Sequence, residues 1–400
     1  MKIALVGLYY ENNMGDPLLF DCSEYLIKKY DKTIEVSKID WFGRKSKKDK
    51  FTSDKGIPIL YFSLRVLRKG FSMLHFPTTY LDEWKWKFSD DKKRLKSIYE
   101  KKLKGIDGII VMGAGTLKYD VRLNFAPYYH LLIETAEQLN IPVYINCVGV
   151  ESKYNPNDKR CKMFEDALSR NIVKIVTTRD EIEELKKYIK NKKTMVDKIS
   201  DIGTWASETY QIKKDKTSDI IGLGVITPER FREFGRNEVY KKYEDFWVQL
   251  IQELERKNVK WKIFNNGDES DSAFAEKLCK LVGKDVKEYI LTPSNPKELV
   301  QIVSGFKGII SSRLHSCIVA YSLDVPFVAI SWNNKLQYFA REIGVSQRIV
   351  EEHELSVKKV WKKYLQAEQE GYDKQYKETF RKKSKDYIQL YIKDIKGEAN

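Results

Sequence analysis

The residues best suited to chemistry are Arg313 and His315, in "SSRLHSCIVAYSLDVPFVAISWNNK" (311–335), just ahead of an apolar run. An imidazole can move a proton near neutral pH, and a guanidinium can clamp a carboxylate or phosphate with two parallel hydrogen bonds. Leu314, Ile318 and Tyr321 are spaced for one helical face, which puts Arg313 and His315 in the first turn of a helix. Free N–H groups and the helix dipole attract anions there. A lone histidine is commonly structural. The neighbouring arginine sets a catalytic reading beside the structural one.

Three further stretches carry candidates. "GLYYENNMGDPLL" (7–19) places Asn13, Gly15 and Asp16 where a first strand meets a helix. Asp16 is expected either to cap that helix, with Pro17 at its first position, or to bind a hydroxyl-rich ligand. "VMGAGTLKYD" (111–120) holds Gly113 and Gly115 but Lys118 at the place of a third dinucleotide-type glycine, so a plain turn and a binding loop both stand. "TTRDEIEEL" (177–185) offers Arg179 beside Asp180, either a surface ion pair or an anion clamp.

Five cysteines without a CxxC pair and four scattered histidines show no zinc spacing. The first apolar run is too short for a signal peptide, and no run approaches the ~20 apolar residues of a membrane span. A folded, soluble protein in a reduced cytoplasmic setting is the expectation.

The elements that must position these residues alternate. "KIALVGL" (2–8) reads as a strand and "DPLLFDCSEYLIKKY" (16–30) as a helix. Strand and helix patterns follow in "IDGIIVMGAGTL" (106–117), "YYHLLIETAEQLN" (128–140), "IPVYINCVGV" (141–150) and "VKIVTTRDEIEELKKYI" (173–189), and "DIGTWA" (201–206) closes the set. A polar stretch, 211–219, is the expected linker. A second set then runs through "IIGLGVI" (220–226), helices near 238–257 and 270–282, "VKWKIFNN" (259–266), "PKELVQIVSGF" (296–306), "KGIISS" (307–312) and "PFVAISW" (326–332). The expected fold is α/β: two Rossmann-like doubly wound domains, 1–210 and 220–354, in a glycosyltransferase-B-like arrangement with a C-terminal helical tail, 355–400. Ligands in such sheets bind beyond the C-terminal strand ends.

Taken in order, "NNMGDPLL", "VMGAGTL", "TTRDE" and above all "SSRLHSCIVAYSLDVPFVAISWNNK" resemble the polysaccharide pyruvyl transferase family. The last stretch is similar to the family's Arg-x-His helix start, its Asp-Val-Pro turn (324–326) and its aromatic-x-x-Lys end, Trp332 to Lys335. The resemblance implies transfer of a pyruvyl group from phosphoenolpyruvate to a sugar diol of a cell-surface glycan precursor, giving a pyruvate ketal. It implies His315 as proton carrier and Asp16 as base or anchor for a sugar hydroxyl, with no metal and no organic cofactor required. It implies Arg313, Arg179, Lys335, Asn13, Gly15 and the Gly113–Gly115 loop as substrate-binding groups. The first domain would take the acceptor, a sugar or lipid-linked oligosaccharide, and the second the donor. A nucleotide-sugar glycosyltransferase would keep the fold and change the donor.

The formal charge is +15, and between Arg44 and Lys104 there are 18 basic against 7 acidic side chains, a net +11. Nucleic-acid binding is one reading of that segment, without a recognised motif to support it. Within it, "PILYFSLRVLRKGFSMLHF" (58–76) spaces Leu60, Leu64, Leu67, Phe71 and Leu74 along one helical face. Such a helix either packs on the first domain or lies in an anionic membrane surface flanked by its lysines. Liposome flotation separates the two. Peripheral attachment gives salt-sensitive recovery with anionic vesicles that Leu67→Glu plus Phe71→Glu abolishes. Equal recovery with neutral and anionic vesicles leaves the packed helix.

Overall fold

A computed structural model describes residues 1–49, 90–119 and 124–398. Among these, twelve strands form two sheets of six. The first contains β1 (Lys2–Gly7), β2 (Glu35–Asp40), β3 (Gly108–Met112), β4 (Val143–Val148), β5 (Val173–Thr178) and β6 (Met195–Lys198), in the order β2-β1-β3-β4-β5-β6. The second contains β7 (Ile221–Gly224), β8 (Trp261–Phe264), β9 (Ile290–Leu291), β10 (Gly308–Ser311), β11 (Phe327–Ile330) and β12 (Ile349–Val350), in the order β12-β11-β10-β7-β8-β9. Neighbouring strands run parallel, as in β1·β3, β3·β4, β7·β10 and β10·β11. Parallel strands covered on both faces need unbroken apolar runs. "GIIVM" and "FVAI" are such runs, and every residue in them is buried. The α/β, doubly wound expectation holds.

In each sheet the strand order reverses once, between β1 and β3 and between β7 and β10. The loops beyond the C-terminal ends of those strands are where sheets of this kind bind ligands. At the second reversal the strands approach closely: a β-carbon on Gly224 would collide with Ser311, its partner in register.

The chain forms two compact units, Met1–Tyr10 with Thr33–Asp197, and Glu11–Lys32 with Lys198–Asn400. The helix Gly15–Tyr30 therefore belongs with the second sheet, although it directly follows the first strand. The stretch 211–219 also lies in the second unit and is irregular. The first core gathers Val6, Trp41, Val111, Tyr129, Ile145 and Phe164. The second gathers Leu223, Trp247, Ile263, Ile310 and Val328.

One sequence expectation about local structure changes. "DIGTWA" forms no strand; Ile202–Trp205 is a 3₁₀ turn capped by Asp201, whose Oδ1 accepts the Gly203 N–H at 2.8 Å. The first sheet is closed by β6 instead. The basic run "KKRLKSIYEKKLK" lies in a helix, Asp90–Leu103, whose Leu95, Tyr99 and Leu103 are in the first core. The 58–76 stretch lies outside the described residues. Among the described residues no helix is long and apolar enough to cross a membrane.

The 3₁₀ turn anchors the C-terminal helix Lys374–Ile395. Trp205 Nε1 donates to Ser384 Oγ at 3.1 Å and to the Arg381 carbonyl at 3.2 Å. The Arg381 guanidinium lies 4.5 Å from the indole centroid and pairs with Glu208 and Glu378. Trp205→Ala is expected to cost about 3–5 kcal/mol of stability, read as a lower urea midpoint with the loss confined to the second unit.

Candidate functional site

β10 ends at Ser311, and Arg313 stands at the N-cap of the helix Leu314–Ser322, with extended backbone at φ −103° and ψ 126°. His315 is thus fixed in the first helical turn at the reversal point of the second sheet, and it is buried. The imidazole rests on Gly15. A β-carbon there would fall 2.6 Å from His315 Cβ and closer still to ring atoms Cγ and Nδ1. Only glycine leaves room for this contact. Gly15 opens its own helix, so two helix N-termini meet at the histidine, a setting that favours negative charge.

The capping expected of Asp16 is not found. The Gly15 helix starts earlier than its sequence pattern suggests, with Met14 at the N-cap and no side-chain cap bond. Asn13 organises the entry instead: its Oδ1 accepts the Gly15 N–H at 3.3 Å and its carbonyl accepts the Asp16 N–H at 3.2 Å. Asp16 is half-buried in the first turn, where a carboxylate suits the dipole. Pro17, also in that turn, lacks an N–H that would have had no intrahelical partner.

A third loop, after β8, joins the other two. The Asn266 carbonyl accepts the Met14 N–H at 2.7 Å, and its side-chain Oδ1 accepts the Ser316 hydroxyl at 2.6 Å. Gly267 has φ +93°, and a β-carbon there would run into the Asn12 carbonyl. Asn266 Nδ2 is buried and has no hydrogen-bond partner among the described residues. Sequence reasoning passed over Asn266. The available signal was an Asn-Gly turn directly after an apolar strand, at the same strand end as the other candidates.

Arg313 is not free to swing. Its Nε donates to Asp271 Oδ2 at 2.6 Å, its Nη2 pairs with the same oxygen, and Asp268 Oδ2 lies 3.8 Å from Nη2. Asp271 is fully buried and also accepts the Thr227 N–H at 2.9 Å. Burial pushes the Asp271 carboxyl above its ordinary range, against the pull of Arg313. Burial likewise opposes ionisation of Asp268, but Ser270 and the charges of Arg313 and Arg230 outweigh it and hold that carboxyl low. Both aspartates escaped sequence reasoning, because "DESDS" has the look of an ordinary acidic helix start. Nearby, Trp332 Nε1 donates to the Ser312 carbonyl at 2.6 Å, and Asn333 caps the helix Asn334–Glu342 by accepting the Lys335 N–H at 3.2 Å. Lys335 is half-buried in that helix's first turn.

The remaining candidates are in the first unit. A β-carbon on Gly113 would collide with the Asn146 and Cys147 carbonyls, so packing between β3 and β4 already requires this glycine. Gly115 lies against Gly149. Arg179 and Asp180 are 8% and 3% exposed, so the surface ion pair is excluded. Asp180 Oδ2 accepts the Val150 N–H at 2.9 Å and its own N–H is held by Thr178 Oγ1 at 3.0 Å, which fixes the turn that carries Arg179. Asn13, Gly15, Asp16, Arg313, His315 and Lys335 thus belong to one unit, and Gly113, Gly115 and Arg179 to the other. Among the described residues no group of three His, Cys, Asp or Glu side chains could hold a metal ion.

Residues 13–334 match the family model for polysaccharide pyruvyl transferase. No curated protein matches the chain. Among solved structures it is similar to UDP-GlcNAc 2-epimerase from Neisseria meningitidis, with 13% identity, a TM-score of 0.54, and coverage of 98% of this chain and 100% of that one. UDP-GlcNAc 2-epimerase from Methanocaldococcus jannaschii is similar at 15% identity and a TM-score of 0.53, covering 98% and 99%. At such identities the likeness is one of fold, and it agrees with the glycosyltransferase-B-like class.

Gly15→Ala tests the central contact. The methyl group has no room unless the imidazole leaves. The expected result is a destabilisation of about 1–3 kcal/mol, with a large change in the imaging of the ring by proton–nitrogen NMR: the His315 imidazole signals shift while those of the other histidines stay. Unchanged His315 signals would show that the ring does not rest on Gly15.

Proposed function

The chain belongs to the polysaccharide pyruvyl transferase family, and from that premise we propose that it moves a pyruvyl group from phosphoenolpyruvate to a sugar diol of a cell-surface glycan precursor. The observation that carries the proposal is the buried His315 in a helix's first turn at the sheet reversal, seated on Gly15 with Arg313 two residues away.

The chemistry needs a proton donor to carbon, a base for hydroxyls and cations for two anionic groups. In the proposed reaction the donor's methylene carbon gains a proton and becomes the methyl group. The adjacent carbon, now electron-poor, is attacked by one sugar hydroxyl, which loses its proton. The bond to the phosphate oxygen breaks and phosphate leaves. The second hydroxyl adds to the same carbon and loses its proton, closing the cyclic ketal. One of the two hydroxyl protons offsets the one delivered to carbon, and the other leaves with phosphate or solvent.

His315 is assigned the proton delivered to the methylene carbon, since an imidazole can carry it near neutral pH. Asp16 is assigned a sugar hydroxyl, as base or anchor. Arg313 and Lys335, at the starts of two helices of the second unit, are assigned the donor's carboxylate and phosphate. Arg179 and the Gly113–Gly115 turn are the first unit's candidates for holding substrate.

Phosphate release from phosphoenolpyruvate with a panel of lipid-linked saccharides tests the reading. His315→Gln should lower turnover by about 10²–10⁴-fold in a folded protein. Arg313→Lys and Arg179→Lys keep the charge, lose the planar fork and should weaken phosphoenolpyruvate binding by calorimetry. A rise in melting temperature with a nucleoside diphosphate and none with phosphoenolpyruvate would point to a nucleotide-sugar transferase instead.

A further inference from the structure

We propose that Asp271 is the positioning residue for Arg313, holding one edge of the guanidinium so that Nη1 is presented to an oxyanion of the substrate. The inference rests on the reading above only in taking Arg313 to bind a substrate anion.

A guanidinium offers its donors along distinct edges. On the edge made by Nε and Nη2, Nε hydrogen-bonds Asp271 Oδ2, and Nη2 is buried in an ion pair with the same oxygen without a hydrogen bond of its own. Among the described residues Nη1 has no partner. Asp271 is itself held from two sides. It sits in the first turn of the helix Glu269–Leu281, with the positive end of that dipole behind it, and it accepts the Thr227 N–H from the loop after β7. The carboxylate can therefore not follow Arg313 if the arginine moves; it fixes where the arginine stands.

The energetics argue against a purely structural pair. Asp271 is 0% and Arg313 7% exposed, so both charges have lost their water. Buried ion pairs of this kind are weak sources of stability, because desolvation offsets the attraction. This one lies at the reversal point of the sheet, two residues from His315, and leaves one guanidinium nitrogen unengaged. Its surroundings are also arranged for an added anion. Asp268 faces Arg313 from 3.8 Å but is shared with Arg230, likewise at 3.8 Å, so two carboxylates are opposed by two guanidinium groups. An arriving carboxylate or phosphate meets a neutralised cluster in which Nη2 is buried against Asp271 and Nη1 is left to donate.

Asp271→Asn is the test, because it keeps the shape and the acceptor for Thr227 while removing the charge. The probes are inorganic phosphate by calorimetry and phosphoenolpyruvate by steady-state kinetics. The expected result is a Kd for phosphate and a KM for phosphoenolpyruvate raised about 10- to 100-fold, the weight of one charge-assisted hydrogen bond, with kcat within about threefold. Asp268→Asn is the control: it removes the same charge from a carboxylate that does not hydrogen-bond the arginine, and it should change either constant by less than about threefold. Asp271→Glu, which returns the charge one methylene away, should show the same split between KM and kcat if Asp271→Asn does not fold. Unchanged constants in a folded Asp271 variant overturn the proposal. So does an equal effect of Asp268→Asn, which would make the charge important and the aim not, and so does a wild-type protein that binds no phosphate. Phosphate bound without turnover of phosphoenolpyruvate would instead fail the reaction assigned above and leave Asp271 to be judged on the phosphate Kd.

Discussion

The second unit's site depends on one contact, an imidazole laid against a backbone that has no side chain. Because Gly15 has no β-carbon, the loop before it can lie against the start of the His315 helix. Once it does, Met14 is close enough to bond the Asn266 carbonyl, and Asn266 in turn reaches Ser316, one residue past the histidine. Three loops from distant parts of the chain thus lock one another. Each bond is ordinary, worth about 0.5–1.5 kcal/mol net, but each fixes the same few atoms. A histidine held in this way has lost most of its rotational freedom before any ligand arrives, which is the geometric condition for efficient proton transfer.

The charges around the site follow a related economy of position. Buried carboxylates in this protein are tied down by several donors. Asp40, at the end of β2, receives the Phe42 N–H at 3.0 Å and the Arg44 Nε at 2.9 Å. Asp271 receives a backbone N–H and one edge of Arg313. A polar group buried without partners costs far more than a satisfied one contributes, so such arrangements persist only with several bonds in place. Their effect is to remove alternatives: a side chain with two fixed anchors has one place to be.

Much of this was legible in the sequence, and the gaps have physical causes. Central strands such as β3 and β11 are buried on both faces and read as plain apolar runs. Edge strands do not. β2, "EVSKID", and β6, "MVDK", are polar and only partly buried, so they lacked the signal that marked the others. Helix starts were legible at Arg313 because a cleanly apolar face follows it. Asp16 misled because aspartate followed by proline is also a good cap sequence, whereas the true start is set by the room that His315 needs at Gly15. Asp271 and Asn266 were invisible for another reason. Their importance lies in partners 42 and 50 residues away along the chain, and no local pattern reports such a distance.

The path of the chain has a consequence for how the protein is made. Residues 11–32 leave the first unit after β1, join the second, and the chain then returns at residue 33 to build β2. During synthesis the Gly15 helix emerges well before the turn at Ile202–Trp205 and the helix Lys374–Ile395 that cover it. Its apolar side, with Leu18, Leu19, Leu26 and Ile27, must wait without its final partners while the intervening residues are made. At about 5–20 residues per second that wait lasts tens of seconds. Neither unit can be cut out as a single uninterrupted piece, and a ribosome that stalls late leaves an early helix unburied. Chaperone contact on the nascent chain should therefore centre on the Gly15 helix and end only once the helix Lys374–Ile395 has emerged to cover it.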